Sequence, residues 1–523
     1  MARKVLFITA DQWRGGALSL LGHPAARTPN LDRLARDGVT FTQHYTVATP
    51  CGPARASLLT GLYPFLHRSI RNGAPLDRRH SNIAQEVRKA GFDPVLFGYT
   101  DSSADPADMA PADPRLKSYE GVLPGFRLEA SLNEVCLTGW LSELARKGYD
   151  IPERHMDIYR HPGTPRVLDR FDRGPARYTA EDSDTAYIGG KVMDYLRLRR
   201  KQDWFIHAVF LRPHPPLIAP APYHALIEAA NVPAPVRNPD RDQERAVHPY
   251  LDAWLKQQAN PAYFESQVNV QTLPEADLAE MRAVYYGLIA EVDAEVGRLL
   301  DHLEKTGELD QTLIVFTSDH GEMLGDHWCW GKGGWFDAAN HIPLIVRDPR
   351  APKAARGRRI DAFTESVDLM PTLLDWLGLE TPHEANGHSL APWLAGQPPA
   401  AWRDYVFWEF DFRTPHTQQL EAQLGLTSDQ CTLNVIRDRA GKYVHFTAQP
   451  PLLYDLAADP GELHNVAGHP EMAPVVARYA QRLLSHRMLH AERSLANAML
   501  TPKGVVRHRG PRGVLPGSGN KGA

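Results

Sequence analysis

Short apolar runs that each close on a knot of polar residues constrain this chain more than any other feature. Val5–Ala10 is rich in branched side chains, as a buried parallel strand is, and gives way at once to Asp11-Gln12. Pro94–Phe97 runs into Gly98-Tyr99-Thr100-Asp101, and Trp204–Leu211 into Arg212-Pro213-His214-Pro215-Pro216. Leu313–Thr317 runs into Ser318-Asp319-His320-Gly321-Glu322, and Pro343–Val346 is a fifth run. Helical spacing fills the intervals, most clearly at Ile188–Arg199 and Leu278–Leu303. A further helix is expected from Pro29, with Thr28 as its cap and Gly38 as its stop. Strands alternating with helices predict an α/β chain on a doubly wound mixed or parallel sheet sandwiched by helices. In such sheets ligands bind beyond the carboxyl ends of the strands, so the four polar knots are expected to converge on one edge.

Residues 101–180 and 215–275 carry much Pro, Ala and charge with weak periodicity, and read either as excursions that shape a substrate entrance or as surface insertions. After Gly396-Gln397-Pro398-Pro399 the pattern changes to the strand-like Tyr405–Phe410, Thr432–Ile436 and Tyr443–Phe446, then a helix over Met472–Leu484. This predicts a catalytic unit over residues 1–398 and a smaller C-terminal α+β unit over 399–523. The stretch from Lys503 reads as a solvated tail or an oligomer arm, with Arg507, Arg509 and Arg512 as bridging candidates. Lys plus Arg number 58 against 62 Asp plus Glu, a net charge of −4, which gives no basic footprint for nucleic acid. The four Cys residues are far apart and never form C-x-x-C, so no disulfide framework or thiolate zinc site is expected. The apolar N-terminal run is too short for a signal peptide and no run is long enough to span a membrane, so the expected compartment is the cytoplasm.

Asp11, Asp319 and His320 can chelate one divalent metal, with Gln12 adding an amide oxygen. Oxygen ligands favour Ca²⁺ or Mg²⁺, whereas an imidazole among them moves the preference toward Mn²⁺. The most specific segment is Cys51-Gly52-Pro53-Ala54-Arg55-Ala56-Ser57-Leu58-Leu59-Thr60-Gly61. Cys51 sits where a helix starts, so backbone N–H groups and the dipole favour negative charge beside it, and Arg55 follows one turn on. The alternative for Cys51 is a buried structural thiol. Gly331-Lys332-Gly333-Gly334 fails the G-x-x-x-x-G-K-[S/T] requirement for a nucleotide-binding loop.

C-x-P-x-R followed by A-S-L-L-T-G resembles the signature of type I sulfatases, members of the alkaline phosphatase superfamily. The resemblance covers nearly the whole chain: Thr28-Pro29-Asn30-Leu31-Asp32-Arg33-Leu34-Ala35, Thr317–Glu322, Ser366–Leu373 and Leu453–Glu462 all take part. Gln12 after Asp11, His320 after Asp319, and the Arg212–Pro216 and Glu409–Arg413 segments resemble the phosphonate monoester hydrolases and their arylsulfatase relatives.

The resemblance implies an alkaline phosphatase-like fold and a hydrolase of sulfate monoesters, phosphonate monoesters and phosphodiesters, with either the sulfatase or the phosphonate hydrolase activity dominant. It implies that Cys51 is converted by a formylglycine-generating enzyme. Asp11, Gln12, Asp319, His320 and the modified Cys51 match metal ligands, with Mn²⁺ favoured and Ca²⁺ the alternative. Arg55, His214 and Lys332 match catalytic groups, and Asn72 and Tyr99 match substrate contacts. One hydroxyl of the aldehyde hydrate would attack sulfur or phosphorus in line, and the other would drive collapse of the covalent hemiacetal by C–O cleavage. Asp101 departs from the family pattern, since phosphonate hydrolases carry Thr there. A carboxylate beside an anion site repels a second charge, so monoanionic esters are expected over dianionic phosphate monoesters. A homo-oligomer, dimer or tetramer, is implied, with neither nucleic acid nor membrane as partner. A two-metal phosphatase would need more ligands than the sequence offers, and a non-catalytic sulfo-sugar binder would keep Cys51 unmodified.

Overall fold

The computed structural model describes residues 3–507 apart from 108, 162, 164–169, 200–201, 259–269 and 271. Arg509 and Arg512 lie outside the described residues. Eight strands form the main sheet: β1 Lys4–Ala10, β2 Val39–Tyr45, β3 Val95–Gly98, β4 Arg127–Ser131, β5 Trp204–Phe210, β6 Thr312–Thr317, β7 Leu344–Arg347 and β8 Arg358–Glu365. Their spatial order is β4-β3-β5-β1-β6-β7-β2-β8, and β7 alone runs against its neighbours, so the sheet is mixed. Every residue of β1, β5 and β6 is buried, which is why these strands read as unbroken apolar runs. The one charge in β1, Lys4, is paired with Glu308 at 2.5 Å.

Strand register sets where polar side chains can gather. Ala10 of β1 lies opposite Phe210 of β5, and Thr9 lies opposite Thr317 of β6. The three parallel strands therefore end level, and the residues after them emerge side by side.

Two separate helix groups cover the sheet. One contains α1 Pro29–Asp37, and the other contains α2 Cys51–Thr60. α3 Asp184–Leu198 and the long α4 Glu275–Lys305 pack on each other, and α4 also packs on α1. α5 Leu369–Leu377 packs on α2. The expected Thr28 cap of α1 is not made: its hydroxyl pairs with Ser19 at 2.8 Å. Instead the Asp293 carboxylate of α4 accepts from the Asn30 and Leu31 amides at 3.1 and 2.8 Å, a cap supplied from another helix.

A four-stranded antiparallel sheet comes next, with β9 Tyr405–Asp411, β10 Thr432–Asp438, β11 Gly441–Phe446 and β12 Leu452–Asp455 in the order β12-β11-β10-β9. α6 Ala473–Leu489 packs on it. The 101–180 excursion contributes a main-sheet strand, β4, because Arg127–Ser131 pairs with β3 at the edge, where half-exposed polar side chains hide the pattern. The chain beyond Lys503 is not loose up to Arg507: β13 Ala498–Thr501 and β14 Gly504–Arg507 form a hairpin, with Met499 opposite Val506 and Leu500 opposite Val505. Among the described residues no helix is long and apolar enough to cross a membrane.

Candidate active site

β3, β5, β1 and β6 are consecutive neighbours in the sheet, and their four polar knots meet at one edge. Asp11, Cys51, Asp319 and His320 are buried there, and one ligand atom from each lies within 4.8 Å of the others. His320 Nε2 is 3.1 Å from Cys51 Sγ, 3.7 Å from Asp11 Oδ1 and 3.8 Å from Asp319 Oδ2.

Arg55 holds this group together. Its side chain is 1% exposed, and three of its nitrogens are spent: on Asp319 Oδ2 at 2.9 Å, on Asp11 Oδ2 at 2.9 Å and on the Tyr99 carbonyl at 3.0 Å. The guanidinium also lies over the Tyr99 ring, 4.0 Å from its centroid. Burial pushes the Asp11 carboxyl up, but Arg55, His320, Lys332 and the Tyr99 hydroxyl outweigh it and hold Asp11 below its ordinary range. Arg55 is therefore a clamp on the two carboxylates.

The group fits a divalent cation on its own chemistry. Asp11 Oδ1 is buried and without a hydrogen-bond donor. His320 Nδ1 faces the Gly321 carbonyl at 2.9 Å, which can only accept, so the proton is assigned to Nδ1 and Nε2 presents its lone pair to the carboxylates. Two carboxylates and an imidazole suit a hard or borderline divalent ion. Gln12 stands at the rim in left-handed backbone (φ 69°), and its amide bridges two neighbours: Nε2 donates to Glu322, and Oε1 accepts from Lys332 Nζ at 2.5 Å.

Cys51 is the first residue of α2, at the helix start expected there. The amides of the first turn are largely used. Gly52 donates to Asn72 Oδ1 at 2.8 Å, Pro53 has no N–H, and Ala54 donates to the Pro50 carbonyl at 3.0 Å. The helix thus acts on residue 51 through its dipole rather than through these donors. Asn72 is placed as a cap supplied from a neighbouring segment. A side chain at Gly52 would press within 3.1 Å of Asn72 Oδ1 and 3.3 Å of the Asp101 carbonyl, so glycine permits this close approach. Burial, then Asp11, Asp319 and Asp101, push the Cys51 thiol well above its ordinary value, against the pull of Lys332.

Asp101 does not point into solvent. It is 6% exposed, sits in left-handed backbone (φ 47°), and meets Arg55 Nε only at 3.9 Å. Burial raises its carboxyl to about 8, with Arg55 opposing and Asp11 and Glu120 adding to the rise. Lys332, despite burial, is held above its ordinary value by Cys51, Asp11, Glu134 and Asp319. Its loop is tied down by Glu322, whose Oε1 accepts from Leu324 N at 2.9 Å and Gly331 N at 2.7 Å. Trp408 of β9 donates to the Gly334 carbonyl at 3.3 Å, so the second sheet backs this loop.

His214 is held by a network with no pattern in the sequence. Arg212 Nη1 donates to the His214 and Pro216 carbonyls at 2.7 and 3.0 Å, and Arg212 Nε pairs with Asp184 at 3.0 Å, both side chains being buried. The His214 ring meets Glu134 at 3.0 Å. Glu134 and Asp184 carry no local signal, because they meet the site only through folding of the 101–180 excursion and α3. Glu322, by contrast, lies inside the Asp319–Glu322 knot, and that position is a signal for it.

A sulfatase family model matches residues 3–379, and a model described as the C-terminal region of N-sulphoglucosamine sulphohydrolase matches residues 325–488. A multifunctional alkaline phosphatase superfamily protein of Trinickia caryophylli is 42% identical over 513 residues, 97% of this chain and 99% of that protein. An arylsulfatase of Clostridium perfringens is 27% identical over 90% of this chain and 91% of its own. The crystal structure of a phosphonate monoester hydrolase of Agrobacterium radiobacter superposes with a TM-score of 0.92 at 45% identity, covering 97% of this chain and 100% of that one. With an extended family match, near-complete relatives and the fold in agreement, the chain belongs to the sulfatase family of the alkaline phosphatase superfamily and is a hydrolase.

Proposed function

We propose that this protein is a formylglycine-dependent hydrolase of monoanionic esters: sulfate monoesters, phosphonate monoesters and phosphodiesters. The observation that carries the reading is the Cys51 thiol on the first turn of α2, packed among Asp11, Asp319 and His320 within 4.8 Å. An ordinary thiolate nucleophile is disfavoured there, because burial and the surrounding carboxylates keep the thiol protonated. Converted to formylglycine, position 51 would present a hydrated aldehyde, with one hydroxyl to attack and a second to release the product. A divalent cation, Mn²⁺ or Ca²⁺, would supply Lewis-acid stabilisation at Asp11, Asp319 and His320.

The chain's own groups do the rest. Arg55 fixes Asp11 and Asp319 so that their geometry does not relax during turnover. Lys332, charged and oriented by Gln12, faces the oxygens of the transferred group. His214 protonates the departing oxygen. Asp101, neutral below about pH 8, adds no charge of its own there and becomes repulsive to the ester as it ionises above that pH. The similar proteins include a phosphonate monoester hydrolase and an arylsulfatase, and the structural match to the former at 45% identity favours the phosphonate activity as a major one. Residues 1–398 form the catalytic unit in this reading, and 399–523 the unit that backs the Lys332 loop. The exposed apolar side chains of β13 and β14, Met499, Leu500, Val505 and Val506, are where copies of the chain would associate.

The test uses four 4-nitrophenyl substrates: the sulfate, the phenylphosphonate, a phosphodiester and the phosphate monoester. The first three are expected to outrun the fourth. A phosphate monoester cleaved faster than the sulfate overturns the charge preference. A Cys51 peptide that never loses about 18 Da in active protein, the change from thiol to aldehyde, overturns the nucleophile.

A further inference from the structure

A second cavity, of about 270 Å³, lies beside the catalytic cluster and takes none of the residues assigned to it. Arg14, Gly16 and Ala17, just after the Gln12 knot, form one wall, and Arg282 and Tyr286 of α4 form another. Asp326 comes from the loop that leads to Lys332. The charges there are uneven. Asp326 pairs with two guanidiniums, Arg14 Nη2 on Oδ2 and Arg282 Nη1 at 3.3 Å from Oδ1, and Oδ1 also accepts from the Val236 amide at 3.0 Å. Asp337, the other acid in the lining, and Glu462, which shares Lys442 with it, are matched by Lys442 and Arg437. One positive charge is therefore left over at the cavity. Arg282 is 3% exposed and its Nε is buried without an acceptor, so the protein does not saturate this guanidinium.

Two neutral donors stand beside the guanidiniums. His23 Nδ1 accepts from the Ala25 and Ala26 amides at 3.2 and 3.1 Å, so the ring's hydrogen is assigned to Nε2. The Tyr286 ring packs on His23 with 4.6 Å between centroids; the residue is 1% exposed, and among the described residues its hydroxyl meets no hydrogen-bond partner. Burial, Arg14 and Arg282 lower the His23 ring to about 4, the response of a base held in a positive field. The remaining lining is largely apolar, with Pro233, Ala234 and Val236. We propose that this cavity binds a small organic carboxylate, its head on Arg14, Arg282 and the Tyr286 hydroxyl and its apolar body against Pro233, Ala234 and Val236.

The charges select a monoanion. One surplus guanidinium charge balances one carboxylate, and a second negative charge would face Asp326 uncompensated. A guanidinium fork matches a planar carboxylate in both shape and hydrogen bonding. The volume is below the roughly 300 Å³ at which pockets for drug-sized ligands begin, so the body is short, a single ring or a branched alkyl group. The site adjoins the catalytic centre without taking part in it. Leu324, His327 and Trp328 hold left-handed backbone (φ 50°, 52° and 59°), so the loop between Glu322 and Lys332 is strained, and Asp326 fastens it to Arg14 and Arg282. A carboxylate on these two side chains would share them with that fastening. Binding there needs no reaction and does not depend on the proposed hydrolase function.

Calorimetric titration of the metal-loaded protein with benzoate reads the site directly. One benzoate per chain is expected, with a Kd of about 1 mM or tighter. Benzyl alcohol, which lacks the charge, and formate, which lacks the body, are each expected to bind at least about tenfold more weakly. Tyr286→Phe keeps the ring and removes the donor, with an expected loss of about tenfold, that of a hydrogen bond to a charged group. A Cβ at Gly16 meets nothing within 4 Å, so Gly16→Leu adds bulk at the cavity without a clash and is expected to weaken benzoate about tenfold or more. Lys332→Ala alters the catalytic pocket, and is expected to bind benzoate within about twofold of wild type. No binding by wild-type protein, unchanged affinity in Tyr286→Phe and Gly16→Leu, or formate bound as tightly as benzoate overturns the site. Loss of binding in Lys332→Ala overturns it too, by placing the benzoate among the catalytic groups. Failure of the hydrolase reading shows instead in the ester assays and leaves this titration unchanged.

Discussion

Arg55→Ala removes the one guanidinium that two buried carboxylates share, and its cost can be worked from the geometry. Asp11 and Asp319 each lie 2.9 Å from it, and all three side chains are at most 1% exposed. Breaking a buried pair from one side costs about 3–5 kcal/mol, and here two carboxylates lose their guanidinium while Asp11 keeps the Tyr99 hydroxyl and Asp319 the Gln12 and His320 amides. Unfolding entropy of about 2.1 cal/mol/K per residue gives roughly 1.1 kcal/mol/K for a chain of 523 residues. The melting temperature of cation-free protein should therefore fall by roughly 3–5 °C. A divalent cation bound by the same carboxylates replaces part of the missing charge. At a hundredfold excess over Kd it stabilises by about 2.7 kcal/mol in the wild type, and by more in the variant. Thermal melts after chelation and after loading with Mn²⁺ should show the gap between the proteins closing by at least half. The pH dependence has a definite sign. The Asp11 carboxyl is held below its ordinary 3.8 in the folded wild type, so its contribution is complete above that value and is lost as pH falls through the lowered one. The variant lacks that contribution, so the gap is widest near neutrality and shrinks in acid. A gap that stays the same with and without cation would falsify the shared-carboxylate geometry.

Three further perturbations address other parts of the site. Asp101→Asn removes a carboxyl raised to about 8 by burial; because the folded state holds that proton between pH 3.8 and about 8, wild-type stability declines across this window and the variant's should not. The same variant should lose the fall in kcat/KM above pH 8 and keep its discrimination against phosphate monoesters at neutral pH, where the wild-type carboxyl is already uncharged; an unaltered alkaline limb speaks against it. Asp184→Asn orphans Arg212, which anchors the His214 loop, and should cost about 3–5 kcal/mol in urea melts together with kcat on alkyl esters; a loss under 1 kcal/mol contradicts this anchoring. Cys51→Ser should release about one equivalent of nitrophenol per site and then stall, since a simple ester has no second hydroxyl to expel the product; steady turnover at the wild-type rate refutes the aldehyde.

The strands that carry the site are legible in the sequence because they are buried on both faces. β1, β5 and β6 read as unbroken apolar runs, and their level ends turn four separate knots into one edge. β2, Val39–Tyr45, and β8, Arg358–Glu365, escape a reading by pattern because Thr42, Gln43, Arg358 and Asp361 interrupt their apolar character on half-exposed faces. The reversed direction of β7 cannot be read at all, since a side-chain pattern does not encode which way a strand runs. At the site, the sequence motifs identify residues but not their partners. That Asn72 caps Gly52, that Tyr99 bonds Asp11, and that Glu134 reaches His214 depend on contacts between segments far apart in the chain. Thr28 shows the converse, a residue with the right local identity for a cap whose hydroxyl another neighbour takes.

The charges of the site also supply a physical basis for the proposed preference for a single negative charge on the substrate. Around the cluster itself, the Asp11 and Asp319 charges are matched by those of Arg55 and Lys332. A divalent cation leaves two positive charges, and an ionised hydroxyl at residue 51 together with a monoanionic ester cancels both. A second charge on the ester, or ionisation of Asp101, leaves one negative charge uncompensated in a buried space. At about 5 Å and an effective dielectric of about 20, a unit charge interaction is worth roughly 3 kcal/mol, a factor of about 100 in rate. On this count the proposed preference for monoanions is electrostatic, and a phosphate monoester should recover in rate as pH falls and it takes up its first proton, while the sulfate, which has no proton to gain, should not.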